Sequence, residues 1–84
     1  MAERRSTYLF PSETLYNEAR DHIYRQMSND YYDSSKIYFY GSYGSCSKFD
    51  WENCYRIDIY SDCSDAVKAA DIFREHGGKY YDLA

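Results

Sequence analysis

The alternation of apolar and polar positions divides the chain into six elements. Ser6 to Phe10 predicts a short strand, stopped by Pro11, which cannot donate to a ladder. Ser12 then caps a helix with Glu13 in its first turn; Leu15 or Tyr16, Ala19, Ile23 and Met27 recur at helical spacing, so it runs to about Met27 or Ser28. The polar, turn-forming stretch 28–35 is a loop, and Lys36 to Tyr40 is a strand. Gly41-Ser42-Tyr43-Gly44-Ser45-Cys46-Ser47 reads as a flexible connector. From Trp51 to Tyr60 the alternation is clearest: Trp51, Asn53, Tyr55, Ile57 and Ile59 fall on one side, Glu52, Cys54, Arg56, Asp58 and Tyr60 on the other. The two isoleucines mark the core side. Ser61 to Ser64 supplies cap residues, and Asp65 opens a second helix in which Ala66, Val67, Ala69, Ala70 and Phe73 pack inward until Gly77-Gly78 ends it. Lys79 to Leu83 is a last strand, with Tyr81 and Leu83 inward and Tyr80 and Asp82 outward.

Strand, helix, strand, strand, helix, strand is the split β-α-β order of ferredoxin-like folds. The expectation is one α+β domain over residues 1–84, a βαββαβ sandwich in which two helices cover one face of an antiparallel sheet. The opposite face is left to solvent or a partner. With Ile37, Phe39, Ile57, Ile59 and Leu83 against the helices, Tyr38, Tyr40, Tyr60 and Tyr80 stand on that open face beside Glu52, Arg56, Asp58 and Asp82.

Composition sharpens this picture. Twelve of the 84 residues are tyrosine, against four phenylalanines and one tryptophan. Tyrosine suits half-buried surfaces where another molecule docks, because it offers a large ring, a polar tip and few torsions to freeze. Tyr16, Tyr55 and Tyr81 are expected to complete a thin core, while Tyr31, Tyr32 and Tyr43 lie in loops. No apolar run approaches the roughly 18–20 residues of a membrane span, and the start Met-Ala-Glu-Arg-Arg lacks a signal peptide's apolar segment, so a soluble cytoplasmic protein is expected. Three cysteines, an odd number, fit a reducing compartment.

The net charge of −4 is concentrated in residues 50–71, where Asp50, Glu52, Asp58, Asp62, Asp65 and Asp71 face only Arg56 and Lys68. Local acidity repels nucleic-acid phosphate and attracts basic protein surfaces. Direct nucleic-acid binding is therefore disfavoured. In size, acidity and tyrosine content the chain resembles the small phage-encoded inhibitors of host defence, including anti-CRISPR proteins, which often occlude the nucleic-acid channel of a basic host machine. That resemblance implies that Glu52, Asp58, Asp62 and Asp65 contact lysines or arginines of a basic host protein such as a nucleic-acid-binding complex, with Tyr38, Tyr40, Tyr60 and Tyr80 as apolar anchors.

Other chemistries are less well matched. Gly41-Ser42 followed by Asp58 resembles a minimal nucleotidyltransferase pattern, but the positions two away from Asp58 are Arg56 and Tyr60, so the second metal carboxylate is missing. Cys46, Cys54 and Cys63 with His22 and His76 supply zinc-type atoms at spacings unlike a Cys-x-x-Cys knuckle. An RNA-recognition module shares the strand order, yet its aromatic and basic strand signature is absent from residues 51–60. The leading expectation is a non-enzymatic binding inhibitor with no cofactor and no metal. A nucleotide- or metal-binding domain using Gly41 to Cys46 and Asp58 is the second reading, and a homodimeric module the third.

Overall fold

A computed structural model describes residues 5–26, 37–60 and 64–81, apart from the side chains of 64 and 65. Strand β1 (Arg5–Phe10), helix α1 (Glu13–Gln26), strands β2 (Ile37–Cys46) and β3 (Trp51–Tyr60), helix α2 (Ser64–Glu75) and strand β4 (Lys79–Tyr81) follow in the expected order. The helix end at Met27, the loop 28–35 and the strand end at Asp82 and Leu83 lie outside the described residues. The sheet runs β2-β3-β1-β4 with every neighbouring pair antiparallel, which is the ferredoxin-like arrangement.

Local chemistry sets the helix ends. The Leu15 amide donates to Ser12 Oγ at 3.2 Å, satisfying one of the orphan amides at the start of α1. Helix α2 closes with the paired bonds of a Schellman cap: Gly78 N–H donates to the Phe73 carbonyl at 2.7 Å and Gly77 N–H to the Arg74 carbonyl at 3.1 Å. Gly77 takes φ +86°, a left-handed conformation that costs any residue with a Cβ. Gly78 is required for a different reason, since a Cβ there would lie 2.7 Å from the Phe10 ring.

One face of the sheet meets both helices. Tyr8, Phe10, Ile37, Ile57 and Ile59 pack against Tyr16, Ala19 and Ile23 of α1 and Ala69, Ile72 and Phe73 of α2. Phe10 is at the centre, with ring centroids of Phe73 and Tyr16 at 5.8 and 6.3 Å in edge-on contact. Val67, expected inward, is 62% exposed. It follows Ala66 by one residue, about 100° around the helix, and so lies off the stripe that Ala66, Ala69, Ala70 and Phe73 define.

The other face is only partly open. Leu9, Cys46 and Cys54 are buried there in a second small core, flanked by Phe49, Trp51 and Tyr81. Gly41 to Cys46 is not a connector but the second half of β2, carried on by register shifts after Phe39, Ser42 and Gly44. Gly41 and Gly44 supply φ values of +84° and +109° at these bulges. The shift between Gly44 and Cys46 breaks strict alternation in β3, so Trp51 joins Cys46 in the second core instead of sharing the Ile57 side. Strand β4 is out of phase with its expected facing too. Tyr80 pairs with Tyr8 on the helix side and Tyr81 with Thr7 on the other, so the inward and outward positions are exchanged.

Candidate functional site: a tyrosine cluster around a buried ion pair

On the half of the sheet that the second core leaves uncovered, Arg56, Asp58 and Tyr60 follow one another along the same side of β3. Their spacing of two residues points them the same way. Asp58 has no exposed surface, lying between Tyr38 of β2 and Thr7 of β1 in the strand register. Arg56 grips it with both prongs, Nε to Oδ1 at 2.9 Å and Nη2 to Oδ2 at 2.7 Å. This bidentate pairing raises the guanidinium's pKa, the hydrogen bonds to Asp58 being the main cause. Tyr60 donates its hydroxyl proton to Asp58 Oδ2 at 3.2 Å. Its oxygen is then the acceptor for Tyr40, whose hydroxyl lies 3.3 Å away. Tyr60 is pushed above the ordinary phenol range, first by the Tyr40 contact and then by burial.

The phenols are stacked over this network. The Arg56 guanidinium lies 4.2 Å from the Tyr40 ring centroid and 5.4 Å from that of Tyr43, within cation–π range. Tyr38 and Tyr40 rings are 4.4 Å apart. Despite these contacts Tyr38, Tyr40 and Tyr43 remain 53, 44 and 41% exposed. The result is three outward rings, two of them over the guanidinium and the third against Tyr40.

The sequence-predicted residues divide accordingly. Tyr38, Tyr40 and Tyr60 come together as expected. Glu52 is exposed on β3. Asp58 is not a surface carboxylate: burial removes it from reach and Arg56 occupies both its oxygens. Tyr80 is 53% exposed but belongs to the helix side of the sheet edge, where its ring meets Tyr8 at 5.8 Å. Asp62 and the side chain of Asp65 lie outside the described residues. Two members were missed. Tyr43, expected in a loop, lies on β2, where Gly41 and Gly44 on either side are the residues a bulged strand requires. Arg56 stands on the side of β3 that the alternation predicts, and the Arg-x-Asp-x-Tyr spacing is the signal for the ion pair.

The second-reading chemistry finds little here. Residues Gly41 to Cys46 form bulged strand, and the Asp58 oxygens are already held. Among the described residues no group of three or more His, Cys, Asp or Glu side chains converges on a metal position, and no helix is long and apolar enough to cross a membrane. Compared with family models, curated proteins and solved structures, the chain gave no match.

Proposed function

We propose that the protein is a non-enzymatic binding domain that docks on a basic protein surface through Tyr38, Tyr40 and Tyr43. The observation that carries this reading is the exposure of three adjacent tyrosines, Tyr40 and Tyr43 against the Arg56 guanidinium and Tyr38 against the Tyr40 ring. Rings already held in position lose little freedom on binding, so more of their contact area appears as affinity. The apolar anchors are the phenols. Steering comes from the overall charge of −4, with exposed Glu52 on the same strand as the ion pair. In this reading the protein acts as an inhibitor that occludes a basic, nucleic-acid-handling host protein, as the small phage-encoded inhibitors do. Asp58 and Tyr80 are not among its contacts.

The test is capture of partners from host extract by wild type, by Tyr38→Ser with Tyr40→Ser, and by Tyr80→Ser. The double variant loses the captured protein while Tyr80→Ser, equally exposed on the other side, keeps it; raising salt weakens the wild-type complex. Retention by the double variant, with its fold intact by circular dichroism, refutes the assignment of the face.

A further inference from the structure

Away from the tyrosine face, α1 and the end of α2 bring two histidines into direct contact. His22 Nδ1 and His76 Nε2 are 3.0 Å apart, and the rings are nearly perpendicular, at 87°. Both are half-buried. They are 54 positions apart in the chain, so only the packing of the helices makes them neighbours. Beside them opens a cleft of about 270 Å³ lined by His22, Gln26, Lys68, Asp71, Ile72 and Glu75. Its two carboxylates outnumber its one cation; Asp71 is engaged by Arg74, and Glu75 adjoins His76 in sequence.

We propose that His22 Nδ1 and His76 Nε2 form a chelating site for a divalent transition metal that favours imidazole and right-angled coordination, of the Ni²⁺ or Cu²⁺ type. Metal–nitrogen bonds of about 2.05 Å from two atoms 3.0 Å apart subtend about 94° at the metal. The 3.0 Å spacing is that of a hydrogen bond which the metal would replace; a right-angled pair of such bonds needs the nitrogens about 2.9 Å apart and a tetrahedral pair about 3.3 Å, so the smaller change favours the right-angled ion. The metal lies off the line joining the nitrogens, so each ring must turn from its present position, His22 on the side where it lines the cleft. Water completes the shell. In the free pair one facing nitrogen donates a proton and the other accepts it. Metal binding moves that proton to the far nitrogen of its own ring, so that both facing nitrogens present lone pairs to the metal.

The experiment is calorimetric titration of the whole chain with Ni²⁺, with Mg²⁺ as control, for wild type, His22→Gln and His76→Gln. Wild type binds one Ni²⁺ saturably and no Mg²⁺, and either variant weakens binding at least ~10-fold. Paramagnetic broadening by Ni²⁺ in wild-type NMR spectra is a second readout that needs no variant, and it should centre on His22, His76 and Glu75. Co²⁺ absorption without a thiolate band separates this site from the cysteines. Unchanged affinity in both variants, broadening centred elsewhere, a thiolate band, or no saturable Ni²⁺ binding overturns the proposal.

Discussion

Replacing Arg56 by methionine isolates the energetic centre of the tyrosine face. The native pair has two hydrogen bonds, at 2.9 and 2.7 Å, to a carboxylate with no exposed surface, and the Arg56 side chain is itself only 12% exposed. At an effective dielectric near 20 the attraction of charges ~4 Å apart is about 4 kcal/mol. Methionine preserves much of the stem's packing but leaves Asp58, among the described residues, with the Tyr60 hydroxyl as its remaining side-chain donor. An uncompensated buried charge of this kind costs about 3–5 kcal/mol. For a domain of this size each kcal/mol lowers Tm by about 4–8 °C, so the variant should melt at least ~12 °C below wild type. Asp58→Asn should cost less, about 1–3 kcal/mol, because Arg56 retains some access to water and can redirect its charge. The double variant should be more stable than the sum of the single effects allows, by about 2 kcal/mol or more. Urea denaturation followed by far-ultraviolet circular dichroism measures all four species. If Arg56→Met alone does not fold, recovery of a folding transition in the double variant still reports the coupling. A cost below about 1 kcal/mol for Arg56→Met, or a cycle that is additive within about 0.5 kcal/mol, would show that the pair does not hold this face together.

Other substitutions test the scaffold and its phenols. Gly78→Ala pushes a methyl to within 2.8 Å of two Phe10 ring atoms and should lower stability by about 1–3 kcal/mol in urea titration, with Phe10→Leu in the same chain relieving part of the added cost. Ser12→Ala removes the acceptor of the Leu15 amide; a loss of about 1 kcal/mol and faster hydrogen exchange at Leu15 are expected. Burial pushes the Tyr8 and Tyr16 phenols up, so the folded chain holds their protons where the unfolded chain releases them. Their contribution is complete below a pH of about 10 and falls as pH rises beyond it, so denaturation midpoints should drop in that range. Tyrosinate absorbance should contain a late-titrating fraction that shrinks in Tyr8→Phe and Tyr16→Phe; its persistence in both counts against burial as the cause.

The element types and their order were legible because each rests on interactions between near neighbours. Strand β3 runs over the predicted residues Trp51–Tyr60, its core side marked by Ile57 and Ile59, and the Ser12 and Gly77-Gly78 signals bracket helices where caps belong. Tyr38, Tyr40 and Tyr60 could be assigned to one face for the same reason: alternation along a strand is a local property. What spacing within a strand could not supply was phase between strands. The glycine bulges carry β2 through residues 41–46 and bring Tyr43 to the face, while the Lys79–Leu9 and Tyr81–Thr7 register sends Tyr80 to the opposite side.

Charge is where sequence and tertiary structure differ most. Composition by itself determined the net charge, the excess of tyrosine and an acidic stretch at residues 50–71. The pattern and order of apolar positions established an α+β chain with one main core. Only the folded arrangement decided that Asp58 is enclosed and neutralised by Arg56, that Leu9 and Trp51 help form a second core on the supposedly open face, and that His22 meets His76. The physical reason is that formal charge and side-chain type are carried by single residues. Desolvation, ion pairing and ring contact exist only between residues that the tertiary structure brings within a few ångströms.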